Sequence, residues 1–159
     1  MTPRIAGFTL IELIVVVSII AILSGSSIAA FTKFNERQAL GNDARQLVTE
    51  LIKAKNLAAS MQYPTGCLML RGINIKSVSI AGSLSGTQIV SMCDTGNVSQ
   101  AILLTLKSSV FSAPLDITFL PGSGYLLAGV DQSTTINYKQ DETLTKTITI
   151  NTYGQISFL

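Results

Sequence analysis

Histidine is absent from this 159-residue chain. With it go Ser-His-Asp and Cys-His nucleophilic pairs, imidazole ligation of metals and the usual general base near neutral pH. Charged residues make up 13% of the chain, and 11 basic against 9 acidic side chains leave a formal net charge of +2. No strong attraction to nucleic acid follows from that balance. Cys67 and Cys93 are the only cysteines and neither belongs to a CxxC pair, so zinc and thioredoxin-like redox readings have no support. In an extracytoplasmic domain the two would bridge and close a loop; in the other reading they are two buried thiols packing as small apolar groups. Sequence alone does not choose, because the bridge depends on a distance. Asp94, Asp116, Asp131, Asp141 and Glu142 are scattered without calcium-loop spacing. Gly82-Ser83-Leu84-Ser85-Gly86 and Gly122-Ser123-Gly124 lack the Lys-Ser/Thr ending of a phosphate loop and read as turns or flexible loops. No metal, cofactor or catalytic residue is assigned.

What the chain has in excess is apolar length. From Phe8 to Ala30 it reads FTLIELIVVVSIIAILSGSSIAA, 23 residues with one charged side chain; as a helix rising ~1.5 Å per residue this spans roughly 34 Å, enough to cross a bilayer. A cleaved secretory signal would have a shorter apolar region, although the small residues from Ser27 to Ala30 imitate a signal-peptidase site. The mean hydropathy of +0.46 averages this run with a Thr/Ser/Gly-rich remainder of roughly 125 residues from about Asn35, long enough to bury a core. Arg4 precedes the run, and Lys33 and Arg37 follow it, so positive charge alone orients it weakly; the shortness of the segment before Phe8 makes the large domain the exported part. Glu12 is the anomaly. An ionisable group at the centre of an apolar span costs about 2.5 to 3.5 kcal/mol, less near the interface, and marks a function or a partner; the bland alternative is that it snorkels to the headgroups.

Gly7-Phe8-Thr9-Leu10-Ile11-Glu12, behind a short basic leader and ahead of the apolar stretch, resembles the class III signal of type IV prepilins and type II secretion pseudopilins. The resemblance implies that a prepilin peptidase cuts between Gly7 and Phe8 and methylates the new amine, so that residues 1–7 are a leader and the mature side chains are close to neutral. Segment 8–30 is then a transmembrane and assembly helix, 31–63 its continuation beyond the membrane, and 64–159 an antiparallel β domain. The α-amine of Phe8 would be a cation at neutral pH, and Glu12 the anion that meets it on a neighbouring subunit, relieving two desolvated charges together. The partners implied are other pilin or pseudopilin subunits, the prepilin peptidase, a membrane assembly platform with its ATPase, and the lipid bilayer. The location implied is the cytoplasmic (inner) membrane, crossed once with the C-terminal domain exported, and then a pilus or pseudopilus. Ser24-Gly25-Ser26-Ser27 is a weak place in the helix.

Leu40, Ala44, Leu47, Val48, Leu51, Ala54, Ala58 and Met61 recur mostly at spacings of three and four, which predicts a helix to about Gln62 with one apolar stripe. Pro64 and Gly66 would end it, and Gly41-Asn42-Asp43 offers a break with a fresh cap. Beyond Thr65 come short β-prone runs at 67–70, 76–80, 88–92, 102–107, 116–120, 134–138, 146–151 and 155–159. In Lys146-Thr147-Ile148-Thr149-Ile150 the isoleucines share one face, and Tyr153-Gly154 suits a terminal hairpin. The expected fold is α+β and pilin-like, a long N-terminal helix packed on an antiparallel sheet. Ala58-Ala59, the Phe119-Leu120-Pro121-Gly122 turn and Gly154 between two closing strands are similar to the GspH/FimT type of minor pilin. Some proteins of that type bind DNA through basic residues after this glycine; here Gly154-Gln155-Ile156-Ser157 has no arginine, and Lys139 and Lys146 flank Asp141 and Glu142 in what reads as a solvated loop. A DNA-uptake receptor, and an extracytoplasmic binding protein or enzyme that uses the helix as an anchor, stand as the alternatives to a structural subunit.

Overall fold

One helix, α1 (Leu10–Ala59), runs through both units into which the chain divides, Met1–Arg37 and Gln38–Leu159. The computed structural model describes residues 9–62 and 64–158, without the side chains of 24–29 and 99–103. Within the second unit Leu40, Ala44, Leu47, Leu51, Ala54 and Ala58 are buried. Their spacing alternates four and three, which keeps a single seam on one side of the helix, and the alanines let strands approach closely. Met61, expected on this stripe, is exposed.

The helix continues through Gly41-Asn42-Asp43 instead of breaking there. Asp43 is buried, and its Oδ2 accepts a hydrogen bond from the backbone N–H of Ser108 at 2.9 Å. Its capping capacity therefore serves a distant segment and not a new helix start. The helix also ends earlier than Pro64 and Gly66 suggest. Gln62 N–H donates to Leu57 O (3.2 Å) and Met61 N–H to Ala58 O (3.1 Å), with Met61 at φ 49°; this paired pattern closes a helix through a left-handed residue, here a methionine where glycine is usual.

Among the described residues eight strands follow: β1 (Leu70–Ile80), β2 (Ser83–Cys93), β3 (Gly96–Thr105), β4 (Ser109–Phe111), β5 (Asp116–Phe119), β6 (Gln132–Tyr138), β7 (Asp141–Ile150) and β8 (Ile156–Phe158). They form two four-stranded antiparallel sheets, ordered β3-β2-β1-β5 and β4-β6-β7-β8. Ala81 and Gly82, both at positive φ, make a two-residue hairpin loop between the paired Ile80 and Ser83. Ser83 to Gly86, expected in a loop, belong to β2. The helix seam and the inner faces of both sheets share one core, in which Ile73, Ile75, Ile89, Phe119, Ile136, Ile148 and Ile150 are fully or almost fully buried. The isoleucines of β7 point inward and its threonines outward, as the alternation requires.

The segment joining the two sheets is held from three directions. Asp43 takes its Ser108 N–H, Lys139 N–H donates to Ser108 O (2.9 Å), and the Lys139 ammonium donates to the carbonyls of Leu106 (3.1 Å) and Lys107 (2.8 Å). Lys139 is exposed in the turn between β6 and β7, as the solvated-loop reading expects, and from there it also ties a connection in place.

Candidate assembly site

The first turn of α1 is built by Thr9 and Glu12. The Thr9 hydroxyl accepts from Glu12 N–H at 3.4 Å and donates to Glu12 Oε2 at 3.5 Å, while Thr9 O receives the first helical bond from Leu13 N–H. This is a Thr-x-x-Glu cap. Its signal in the sequence is the three-residue spacing of Thr9 and Glu12 ahead of an apolar run. Gly7 and Phe8, the expected processing residues, lie outside the described residues.

From Leu10 to Leu23 every Leu, Ile and Val is 46–77% exposed, on all sides of the helix. Ser18 satisfies its hydroxyl on Ile14 O at 2.8 Å, so the sleeve carries one ionisable group, Glu12. An apolar surface this continuous is covered by lipid or by other protein when a chain is in its working state. Among the described residues no helix is long and apolar enough to cross a membrane; the described side chains of the apolar run stop at Leu23 and resume at Ala30. After the sleeve, Lys33 and Glu36 pair at 3.5 Å one turn apart.

At the other end of α1, three features noted in the sequence meet. Gly122 N–H donates to Ala58 O at 2.9 Å, so the turn after Phe119 caps the helix. Gly124, at φ 68°, lies against Lys55, where an added Cβ would sit 3.0 Å from Cγ and 3.3 Å from the carbonyl oxygen. Gly154, at φ 71°, packs on Gly124 so closely that a Cβ would overlap the Gly124 carbonyl oxygen. Helix end, late turn and closing hairpin are thus locked together by glycines.

Residues 2–28 match the prokaryotic N-terminal methylation motif. The fold is similar to the crystal structure of the type IV minor pilin FimU from Pseudomonas aeruginosa (strain PAO1), at 19% identity and a TM-score of 0.50, over 76% of this chain and 92% of that one. The chain is type IV pilin-like, in motif and in fold. No curated protein matches it in sequence.

In this pilin-like chain Cys67 and Cys93 are joined by a disulfide, with 26 residues of separation. The bridge does not act alone. Met69 N–H donates to Asp94 Oδ1, Asp94 N–H to Met69 O and the Thr95 hydroxyl to Gly66 O, each at 3.1 Å. The segment after the helix is thereby fastened to the β2–β3 turn, and it holds Leu68 out at 83% exposure. Replacing both cysteines by serine is expected to cost about 3.5 kcal/mol, the chain-entropy value for a loop of this length. Denaturant unfolding of the double variant beside the oxidised parent checks it, and equal midpoints would show that the three hydrogen bonds suffice.

Proposed function

We propose that the protein is a minor pilin, a structural subunit of a type IV pilus or of the related secretion pseudopilus, whose activity is assembly and not turnover. One observation carries the reading: a methylation-type N-terminus leads into a helical sleeve exposed on every side with a single carboxylate, on a domain of pilin fold. The apolar run from Phe8 to Ala30 would hold the subunit in the cytoplasmic membrane with its β domain exported, and the same surface would then pack against the helices of other pilins. Cleavage after Gly7 by a prepilin peptidase and methylation of Phe8 would expose an amine that Glu12 of a neighbour neutralises. Insertion would be driven by the ATPase and membrane platform that serve this class of filament. The Thr9–Glu12 cap supports the reading, since it holds the carboxylate at the very start of the helix, within a turn of where that amine would be.

The test is fractionation of filaments sheared from cells that express the chain at native level. The reading expects the chain in the sheared fraction together with other pilins. Retention of the whole population in the membrane, while filaments form from the other subunits, would overturn it.

A further inference from the structure

We propose that the outer face of the second sheet, at the end bounded by the β7–β8 turn, is a binding groove for a neutral oligosaccharide. This inference does not rest on the assembly reading. The groove has a volume of about 500 Å³, within the range of small-molecule sites, roughly 300–1,000 Å³. Two polar rows line it, together with Ile150 and Ile156. Ser133, Thr149 and Ser157 stand side by side across β6, β7 and β8. Asp131, Asn151 and Gln155 line the groove just beyond them.

These groups are held in place. The hydroxyls of Thr149 and Ser157 are 2.8 Å apart, Asn151 Nδ2 donates to Gln155 Oε1 at 2.8 Å, and Gln155 N–H donates to Asn151 Oδ1 at 2.8 Å. Asp131 Oδ1 accepts from Thr152 N–H (2.8 Å) and from the Thr152 hydroxyl (2.9 Å), which fixes the carboxylate. Each hydroxyl and amide still has capacity for a further partner.

The chemistry selects the ligand class. The lining contains one carboxylate and no lysine or arginine, so a phosphate polymer would meet repulsion and no counter-charge. Hydroxyl and amide rows beside Ile150 and Ile156 suit a ligand that is polar along its edges and apolar on its faces. A neutral sugar presents alternating donors and acceptors to hydroxyl and amide rows set by the strand spacing of about 4.8 Å, and a carbon-bound face to the apolar part of the lining at Ile156.

The experiment is saturation-transfer NMR on the full chain in a sugar-free phosphocholine detergent, with cellotetraose, chitotetraose and maltotetraose as probes and a single-stranded oligonucleotide as the charged comparison. At least one saccharide is expected to saturate. Thr149→Lys should weaken it tenfold or more. Thr143→Lys, at an exposed position of β7 outside the groove, should leave it unchanged; circular dichroism of both variants confirms that each is folded. No saturation by any saccharide at ~10 mM, equal loss in Thr143→Lys and Thr149→Lys, or binding of the oligonucleotide alone would each overturn the proposal.

Discussion

Glu12→Ala is expected to leave the protein in the membrane at parental level and to lower its recovery in sheared filaments by about tenfold or more. Insertion should not suffer, because removing a carboxylate from an apolar span removes a cost of about 2.5 to 3.5 kcal/mol at most. Incorporation should suffer, because the neighbour's amine is then buried without a counter-charge, and breaking one side of a buried pair typically costs about 3 to 5 kcal/mol. The helix cap is the competing explanation, since the carboxylate also receives the Thr9 hydroxyl. Thr9→Ala separates the two. It removes the cap, worth about 1 kcal/mol, and keeps the charge, so its filament recovery should fall far less than that of Glu12→Ala. Equal loss in both variants would move the role of Glu12 from pairing to capping.

The second large effect is expected at the far end of the helix. Gly154→Val should destabilise the β domain by on the order of 3 to 4 kcal/mol, because it forces a branched side chain into a left-handed backbone and drives a Cβ into the Gly124 carbonyl. Gly129→Ala supplies the comparison. Gly129 has a similar φ of 66° with open space around it, so only backbone strain is added and the cost should be about 1 kcal/mol. Chemical denaturation of the full chain, followed through tyrosine fluorescence, reads both, since Tyr153 is beside Gly154 and stacks edge-to-face on Tyr125. Matching midpoints for the two variants would mean that the Gly154–Gly124 approach is not a lock.

Much of this architecture was legible from the order of residues. The four-three spacing from Leu40 to Ala58 has one explanation, a helix with one buried seam, and Ile148 and Ile150 between threonines have one, a strand with one buried face. What escaped were features decided by a partner far along the chain. Asp43 looked like a cap because its type favours caps, yet its carboxylate serves Ser108, 65 residues on. Ser83 to Gly86 looked like a loop because of composition, but Ala81 and Gly82 alone make the turn, and pairing with β1 carries the rest. Met61 closes the helix in a conformation that methionine does not favour; the tertiary contact of Gly122 with Ala58 supplies the setting. β4, three residues long, lies outside the expected β-prone runs and is made a strand by pairing with β6.

The candidate site divides in the same way. Glu12 within an apolar run is visible without a structure, and so are the two cysteines, but their pairing required the distance that folding sets. The groove on the second sheet was invisible because Ser133, Thr149 and Ser157 are ordinary outward-facing residues until register aligns them across three strands.

The central claim is that the apolar helix begins at a new, methylated amine that the Glu12 carboxylate is placed to meet. Intact-mass and peptide mass spectrometry of the protein extracted from native membranes tests it most directly. The account predicts a mature chain that starts at Phe8 with one added methyl group on its amine. A native chain that keeps residues 1–7, or one trimmed only beyond Ala30, would contradict it.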